Sequence, residues 1–242
     1  MPIISFVSSK GGVGKTTASL LTALGLAAQE VDGRAATVVV VDADPNLPLR
    51  RWAALPNKPA NVTVLAAPNE ADLVSQVQAA RFGRATGGRS PDWVVIDTEG
   101  GARATMHTAI RLADLVLTPA GPSTIEAVET LKVVGYVREA SRTFKRHIPH
   151  ACVLTRIPAA IRPRSVKLVW DQLKAQDVPI VPTPLIEKEA FRVLFTEGGT
   201  LDTLDPKAVS GIASARLNLA LFAADVTRLA QRRDSGAIAA AG

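Results

Sequence analysis

Two textures alternate along the chain. Short unbroken apolar runs, many of them β-branched, fall at Ile3–Ser8, Thr37–Val41, Val62–Ala66, Trp93–Ile96, Leu115–Thr118, Ala151–Thr155 and Ile180–Val181. Unbroken runs of this length read as strands covered on both faces, as in a parallel sheet. Between them lie stretches with helical spacing. Thr16–Gln29 carries Leu20, Leu21, Leu24 and Ala28 on one stripe, and further helices are expected at Ala71–Phe82, Thr124–Arg142, Val166–Gln176, Glu187–Glu197 and Ala208–Arg233. Ala85–Pro91 is a Gly/Ser/Pro loop. The alternation predicts an α/β fold, a doubly wound and mainly parallel sheet with helices on both faces. Ligands bind such sheets beyond the carboxyl ends of the strands, so the loops after Ser8, Val41, Ile96, Thr118 and Thr155 should share one edge. With no repeat and no linker, residues 1–233 are expected to form one domain, and residues 234–242 a short fraying tail.

Composition narrows the class. The 242 residues suffice for one well-cored domain, and 47% hydrophobic against 21% charged excludes a disordered chain. Only 4% are aromatic, which argues against a stacking platform for single strands. The one cysteine, Cys152, allows no internal disulfide and no multi-thiolate cluster within one chain; its Ala-Cys-Val-Leu setting reads as buried strand. The opening Met-Pro-Ile-Ile-Ser-Phe-Val lacks the basic segment and cleavage site of a signal peptide, and no apolar run reaches membrane-span length. A soluble, cytoplasmic protein is expected.

The first strand runs into Ser9-Lys10-Gly11-Gly12-Val13-Gly14-Lys15-Thr16-Thr17, and a helix follows. That is the setting of a phosphate loop. Glycines let the backbone wrap a phosphate with its amide hydrogens inward, and the helix N-terminus adds its dipole. Lys15 would pair with the β- and γ-phosphates of ATP, the Thr16 hydroxyl would ligate Mg²⁺, and Thr17 would reach the α-phosphate. The pattern departs from the general one at Ser9, where glycine is usual, and at the early lysine, Lys10. The plain alternative is a glycine-rich turn with a solvated lysine. Lys-Gly-Gly-Val-Gly-Lys-Thr-Thr resembles the deviant Walker A motif of the ParA/MinD family of P-loop ATPases. The resemblance implies that Lys10 crosses an ATP-sandwich homodimer to the partner's phosphates, as an arginine finger would.

Two strands end in aspartate. Asp42-Ala43-Asp44-Pro45-Asn46 closes one, and Asp97-Thr98-Glu99-Gly100-Gly101 another. Carboxylates placed there can hold Mg²⁺ or its waters. The family's first switch reads D-x-D-P-Q, with Asn46 here in place of glutamine. The resemblance implies that Asp44 positions the attacking water, that Asp42 stands behind the metal, and that Asp97 contacts it through water. The bland reading of Asp44-Pro45-Asn46 is a turn. Glu99 stands where relatives often have proline and reads as a solvated loop acid. The resemblance also places Thr155, Pro182 and Thr183 against adenine.

The net charge of +6 is local. Nine basic residues lie between Arg138 and Lys174 against only Glu139 and Asp171. Arg138, Arg142, Lys145, Arg146, Arg162, Arg164 and Lys167 are the candidate contacts to duplex DNA, without sequence preference and with strong salt dependence. A solvated basic face is the alternative. Arg216, Arg228, Arg232 and Arg233 add charge on the terminal helix. His147 and His150 lack a nearby ligand set and read as non-metal.

The family resemblance runs from Ile3 to about Pro119 and, more weakly, to about Gly199. It implies a short ParA-type ATPase, nucleoid-associated, that segregates or positions plasmid or other cargo, with hydrolysis stimulated by a ParB-like or cargo adaptor protein. The stretch Asp42–Trp52 and the Asp97 motif also resemble a narrower branch of ParA-like virulence proteins that act on T-DNA. A MinD-like membrane reading lacks its amphipathic C-terminal helix, since Leu217, Leu221 and Leu229 are expected to face the sheet. Cys152 alone argues against an iron-protein reductase. A metabolic ligase of the same fold and a non-hydrolysing nucleotide-gated adaptor stay open.

Overall fold

The computed structural model describes residues 1–101, 103–158 and 164–231, without the side chains of residues 164 and 165. In chain order the elements are β1 (Ile3–Phe6), α1 (Lys15–Ala27), β2 (Glu30–Val31), β3 (Arg34–Ala35), β4 (Val38–Ala43), α2 (Pro48–Ala53), β5 (Val62–Ala66) and α3 (Glu70–Arg81). Then follow β6 (Trp93–Thr98), α4 (Arg103–Leu112), β7 (Leu115–Ala120), α5 (Thr124–Thr143), β8 (His150–Leu154), α6 (Arg164–Lys174), α7 (Glu189–Glu197) and α8 (Ile212–Gln231). Six strands form one sheet in the order β5-β4-β6-β1-β7-β8, and all its pairs are parallel.

The β-branched runs are explained by where their alternate residues go. Ile4, Phe6, Val38, Val40, Val95 and Leu117 enter one core with α1, α2, α7 and α8. Ile3, Val39, Val41, Val94, Ile96 and Val116 enter another with α3, α4 and α5. A strand covered on both faces has no polar side to show. A third cluster joins Cys152 and Leu154 to α5 and α6. Cys152 is buried there, and burial pushes its thiol up to about 12.

Register places the functional loops on one edge. Phe6 is beside Asp97, Asp97 beside Asp42, and Phe6 beside Leu117. The loops after these residues therefore emerge together at the carboxyl ends.

Three expectations change. Ile180–Val181 forms only one bridge, Ile180 to Cys152, because Pro179 and Pro182 flank it and remove donors. Leu217 and Leu221 do not face the sheet: they are 62% and 51% exposed on the outer side of α8, while Leu229 is half-buried. The β2–β3 hairpin, α2 and α4 are additional elements. Asp32-Gly33, both with positive φ, makes the hairpin's two-residue turn. Among the described residues, no helix is long and apolar enough to cross a membrane. The expected tail at 234–242 lies outside the described residues.

Candidate functional site

The glycine-rich loop joins β1 to α1 at the carboxyl edge. Gly12 and Gly14 both have positive φ (77° and 87°), which L side chains rarely adopt. The loop and its surroundings frame a cleft of about 430 Å³ lined by Gly11, Gly12, Gly14, Lys15, Thr16, Thr17, Asp44, Gly100 and Thr155.

The two lysines of the loop are placed oppositely. Lys15 is only 6% exposed, and burial lowers its pKa against the raising pull of Asp97, Asp44 and Glu99. Lys10 is exposed to solvent, and its carbonyl accepts a 2.6 Å hydrogen bond from Ser8 Oγ. Ser9 has a structural use: its hydroxyl lies 2.8 Å from Glu129 Oε2 on α5.

Asp97 is fully buried beneath the loop. Its Oδ1 accepts from Ser19 Oγ at 2.9 Å, and the Thr16 hydroxyl also bonds to it. Its Oδ2 is buried with no hydrogen-bond partner among the described residues. Burial holds this carboxyl up to about 7 despite those bonds and the charge of Lys15. An orphaned buried carboxylate oxygen beside a threonine hydroxyl fits a divalent cation, which would offset the burial cost.

Asp42 does something different. Its Oδ2 accepts from the amides of Leu49 (2.8 Å) and Arg50 (2.9 Å), so it anchors the start of α2. Among the described residues, only a long 3.4 Å contact from the Asp44 amide reaches its Oδ1. Asp42 is thus occupied on one side, and a cation would find the freer carboxylate oxygen at Asp97, beside Thr16. Asp44 lines the cleft while its Oδ1 accepts from the Asn46 amide at 2.8 Å. Asp44 thus makes the turn and stands at the cleft as well.

Gly100 presses on the phosphate loop. A Cβ added there would lie 2.7 Å from Gly11 Cα, so the loop after β6 touches the loop after β1 directly. Motion in one loop must be felt by the other.

The far wall differs from the expected adenine contacts. Thr155 lies in the cleft, but its hydroxyl donates to the Val13 carbonyl at 2.7 Å and braces the loop. Pro182 and Thr183 do not line the cleft; the Thr183 amide instead donates to Asp225 Oδ2 at 2.9 Å. Arg156 and the segment Leu185–Lys188, with Phe191 and Arg192, form the wall. Sequence reading missed these because no compact motif marks them. Ser19 was within reach: it lies one helical turn beyond Thr16.

The basic run divides in two. α5 and α6 both descend from the carboxyl edge, and their far ends meet where Arg138 Nη2 donates to the Gln176 carbonyl at 3.1 Å. Arg138, Arg142, Lys145 and Arg146 therefore sit at the amino edge of the sheet, opposite the cleft. Arg146 is half-buried, 3.6 Å from Asp114. Lys167 sits in the first turn of α6, toward the carboxyl edge. The Arg164 side chain and all of Arg162 lie outside the described residues. His150 Nε2 is 2.9 Å from Thr118 Oγ1, and burial with the Arg138 charge pulls its ring down to about 4.

A phosphate loop between a buried strand and a helix, beside two aspartate-ended strands of a parallel sheet, defines the site of a P-loop nucleotide-hydrolysing enzyme. The family model described as VirC1 protein matches residues 1–234, and the chain belongs to that family. Protein ParA of Rhizobium radiobacter is 32% identical over 223 residues, covering 92% of this chain and 95% of that protein. Protein virC1 of the same organism is 30% identical over 198 residues, 82% of each. Among solved structures, the ATP complex of an McdA variant from Cyanothece superposes with a TM-score of 0.69 at 17% identity, covering 94% of this chain and 96% of that one. MinD of Aquifex aeolicus superposes with a TM-score of 0.67 at 17% identity, covering 94% and 97%. These two likenesses concern the fold.

Proposed function

We propose that this protein is an ATP-driven dimeric switch that binds duplex DNA and positions a plasmid or similar cargo. The observation that carries the reading is the contrast between Lys15, buried in the loop, and Lys10, exposed at its mouth. One cation serves the chain's own nucleotide; the other is free to reach a second copy.

Lys15 and the loop amides hold the β- and γ-phosphates. Thr16 and Asp97 Oδ2 would hold Mg²⁺, with Asp42 behind them. The ion, when bound, supplies charge neutralisation on the transferring phosphoryl group. Asp44 orients the attacking water, and Lys10 stabilises charge on the phosphates of the opposite chain. Gly100 against Gly11 carries the nucleotide state to the second loop. Duplex contact is assigned to Lys167, at the carboxyl edge on the side of Lys10, together with its sequence neighbours Arg162 and Arg164. ATP switches DNA affinity only if the dimer binds DNA better than the monomer. A ParB-like or cargo adaptor protein then stimulates hydrolysis and release.

The test is binding to a non-specific duplex with ATP, ADP or no nucleotide, across a salt series. Tight binding only with ATP, falling steeply with salt, is expected. Lys10→Ala should keep ATP binding but lose the dimer in analytical ultracentrifugation. Asp44→Ala should accumulate the ATP dimer. Arg164→Glu with Lys167→Glu should weaken DNA binding and spare ATP affinity. DNA binding indifferent to nucleotide, or a normal dimer in Lys10→Ala, overturns the reading. A second reading, DNA processing before conjugative or T-DNA transfer, is favoured by the VirC1 family match along residues 1–234. A preference for border or origin duplexes over random sequence would select it.

A further inference from the structure

The amino edge of the sheet carries a groove of about 1090 Å³, more than twice the nucleotide cleft. It lies between the far end of α5, the first residues of β7 and β8, and the end of α8. Its floor rests on the buried Leu115, Val137, Ile148 and Val178, and its accessible apolar surface includes the half-buried Leu229 and Pro149 and the exposed Pro179. Its rim carries Arg138, Arg142, Arg146 and His147, against one carboxylate among the described residues, that of Asp177.

The three arginines are not equivalent. Arg146 donates to the Arg111 carbonyl at 2.9 Å and lies near Asp114, so it is held by the fold. Arg138 and Arg142 are exposed, and among the described residues their hydrogen bonds go to carbonyl oxygens, those of Gln176 and Arg138 respectively. Among the described residues, neither forms an ion pair. They stand four apart on α5, hence on the same face one turn apart. Two unpaired guanidiniums at that spacing match two carboxylates one helical turn apart on a facing helix.

We infer that this groove docks an acidic amphipathic helix of a partner protein. Its apolar side chains would fill the groove, and its Asp or Glu side chains would pair with Arg138 and Arg142. Charge complementarity selects the acidic partner, and the concave apolar floor selects a helix over duplex DNA. A duplex backbone offers phosphates to exposed cations but nothing to bury against Leu229 or Pro179. The groove is at the opposite edge from the ATP cleft, so this site stands independently of the proposed switch.

The test uses a labelled synthetic peptide that forms a helix, with Leu at i, i+3, i+4 and i+7 and Glu on the flanks. Controls are its scrambled sequence, the same pattern with Lys for Glu, and a random duplex. Fluorescence anisotropy is read on the full chain without nucleotide, so a failed ATP switch would not affect it. The acidic amphipathic peptide should bind, and Arg138→Glu with Arg142→Glu should weaken it at least ~10-fold. Leu229→Gln should weaken it ~3-fold or more, since both floor and rim contribute. Circular dichroism and thermal unfolding show that each variant folds. Equal binding of the scrambled peptide, or unchanged affinity in the arginine variant, overturns the proposal. Loss of duplex binding in the arginine variant, with the peptide not bound, would make this edge a DNA surface instead.

Discussion

Thr155 Oγ1 lies 2.7 Å from the Val13 carbonyl, joining the end of β8 to the middle of the phosphate loop across 142 residues. The Thr155 side chain also sits 3.5 Å from the position a Cβ would take on Gly14. The bond is buried, so the Val13 carbonyl has no water to replace it. Thr155→Val keeps the shape and removes the donor. It should weaken nucleotide binding ~5- to 10-fold, the size of one buried hydrogen bond of about 1 kcal/mol. Thr155→Ser should restore most of the affinity. Titration with a fluorescent ATP analogue measures this, and equal affinity in Thr155→Val would remove the brace from the site.

Lys15 presents a separable prediction about stability and function. Its pKa is lowered by burial, so in the nucleotide-free protein its charge costs more than Asp97, Asp44 and Glu99 return. Lys15→Met fills the same space without charge. Nucleotide affinity should fall by ~100-fold or more with the loss of charge-assisted phosphate contacts. The unfolding midpoint of the nucleotide-free protein should stay level or rise. A stability loss above ~2 kcal/mol in urea titration would mean that the lysine is mainly a structural partner of Asp97.

Most of the sheet and the phosphate loop were legible because covered parallel strands leave unbroken β-branched runs. Val38–Val41 and Trp93–Ile96 announce themselves, and each ends in an aspartate. Ile180–Val181 has the same apolar character, but its flanking prolines remove the hydrogen bonds that would make it a strand. α4 was missed because Arg103, Thr105, His107 and Arg111 dilute a stripe carried by Met106, Ala109 and Ile110. In the site, residues that follow a strand in sequence were visible, including Lys15, Asp44 and Asp97. Those brought in from afar, such as Arg156, Phe191 and Arg192, were not. The basic run looked like one patch because charge along a chain does not say at which end of a helix it lies.

Asp92 gives the pH dependence. Its carboxylate accepts from both Arg34 Nη atoms (2.7 and 2.8 Å), from the Thr37 amide (2.7 Å) and from the Thr37 hydroxyl (2.8 Å). The Arg34 guanidinium above all, with the Thr37 bonds, holds it well below the ordinary carboxylate range. The folded-state pKa lies under the unfolded one, so its contribution is complete above about pH 4 and is lost on further acidification. Asp92→Asn should cost about 2 kcal/mol at pH 7. The gap between wild type and variant should close as pH falls below about 4. Urea unfolding at pH 7 and in acid measures it; a gap constant across that range would mean that charge has no part.

At Gly25 α1 and α8 are in tight apposition. A Cβ built on it would lie 2.6 Å from Ala223 Cβ and 3.2 Å from Leu219 Cδ1. Gly25 sits inside a helix, where alanine would by itself be better by about 1 kcal/mol. The contact outweighs that gain, because a methyl group facing a methyl group has no rotamer by which to withdraw. Gly25→Ala must push α8 away from α1 and should destabilise the protein by ~1–2 kcal/mol net. Ala223→Gly in the same chain removes the opposing methyl and should restore part of the loss, while Ala223→Gly alone should be destabilising. Thermal unfolding of the two single variants and the double variant forms a mutant cycle. A coupling near zero would show that the two helices separate without strain. A coupling of ~1 kcal/mol or more would establish that this glycine seats α8 against the helix that begins at Lys15.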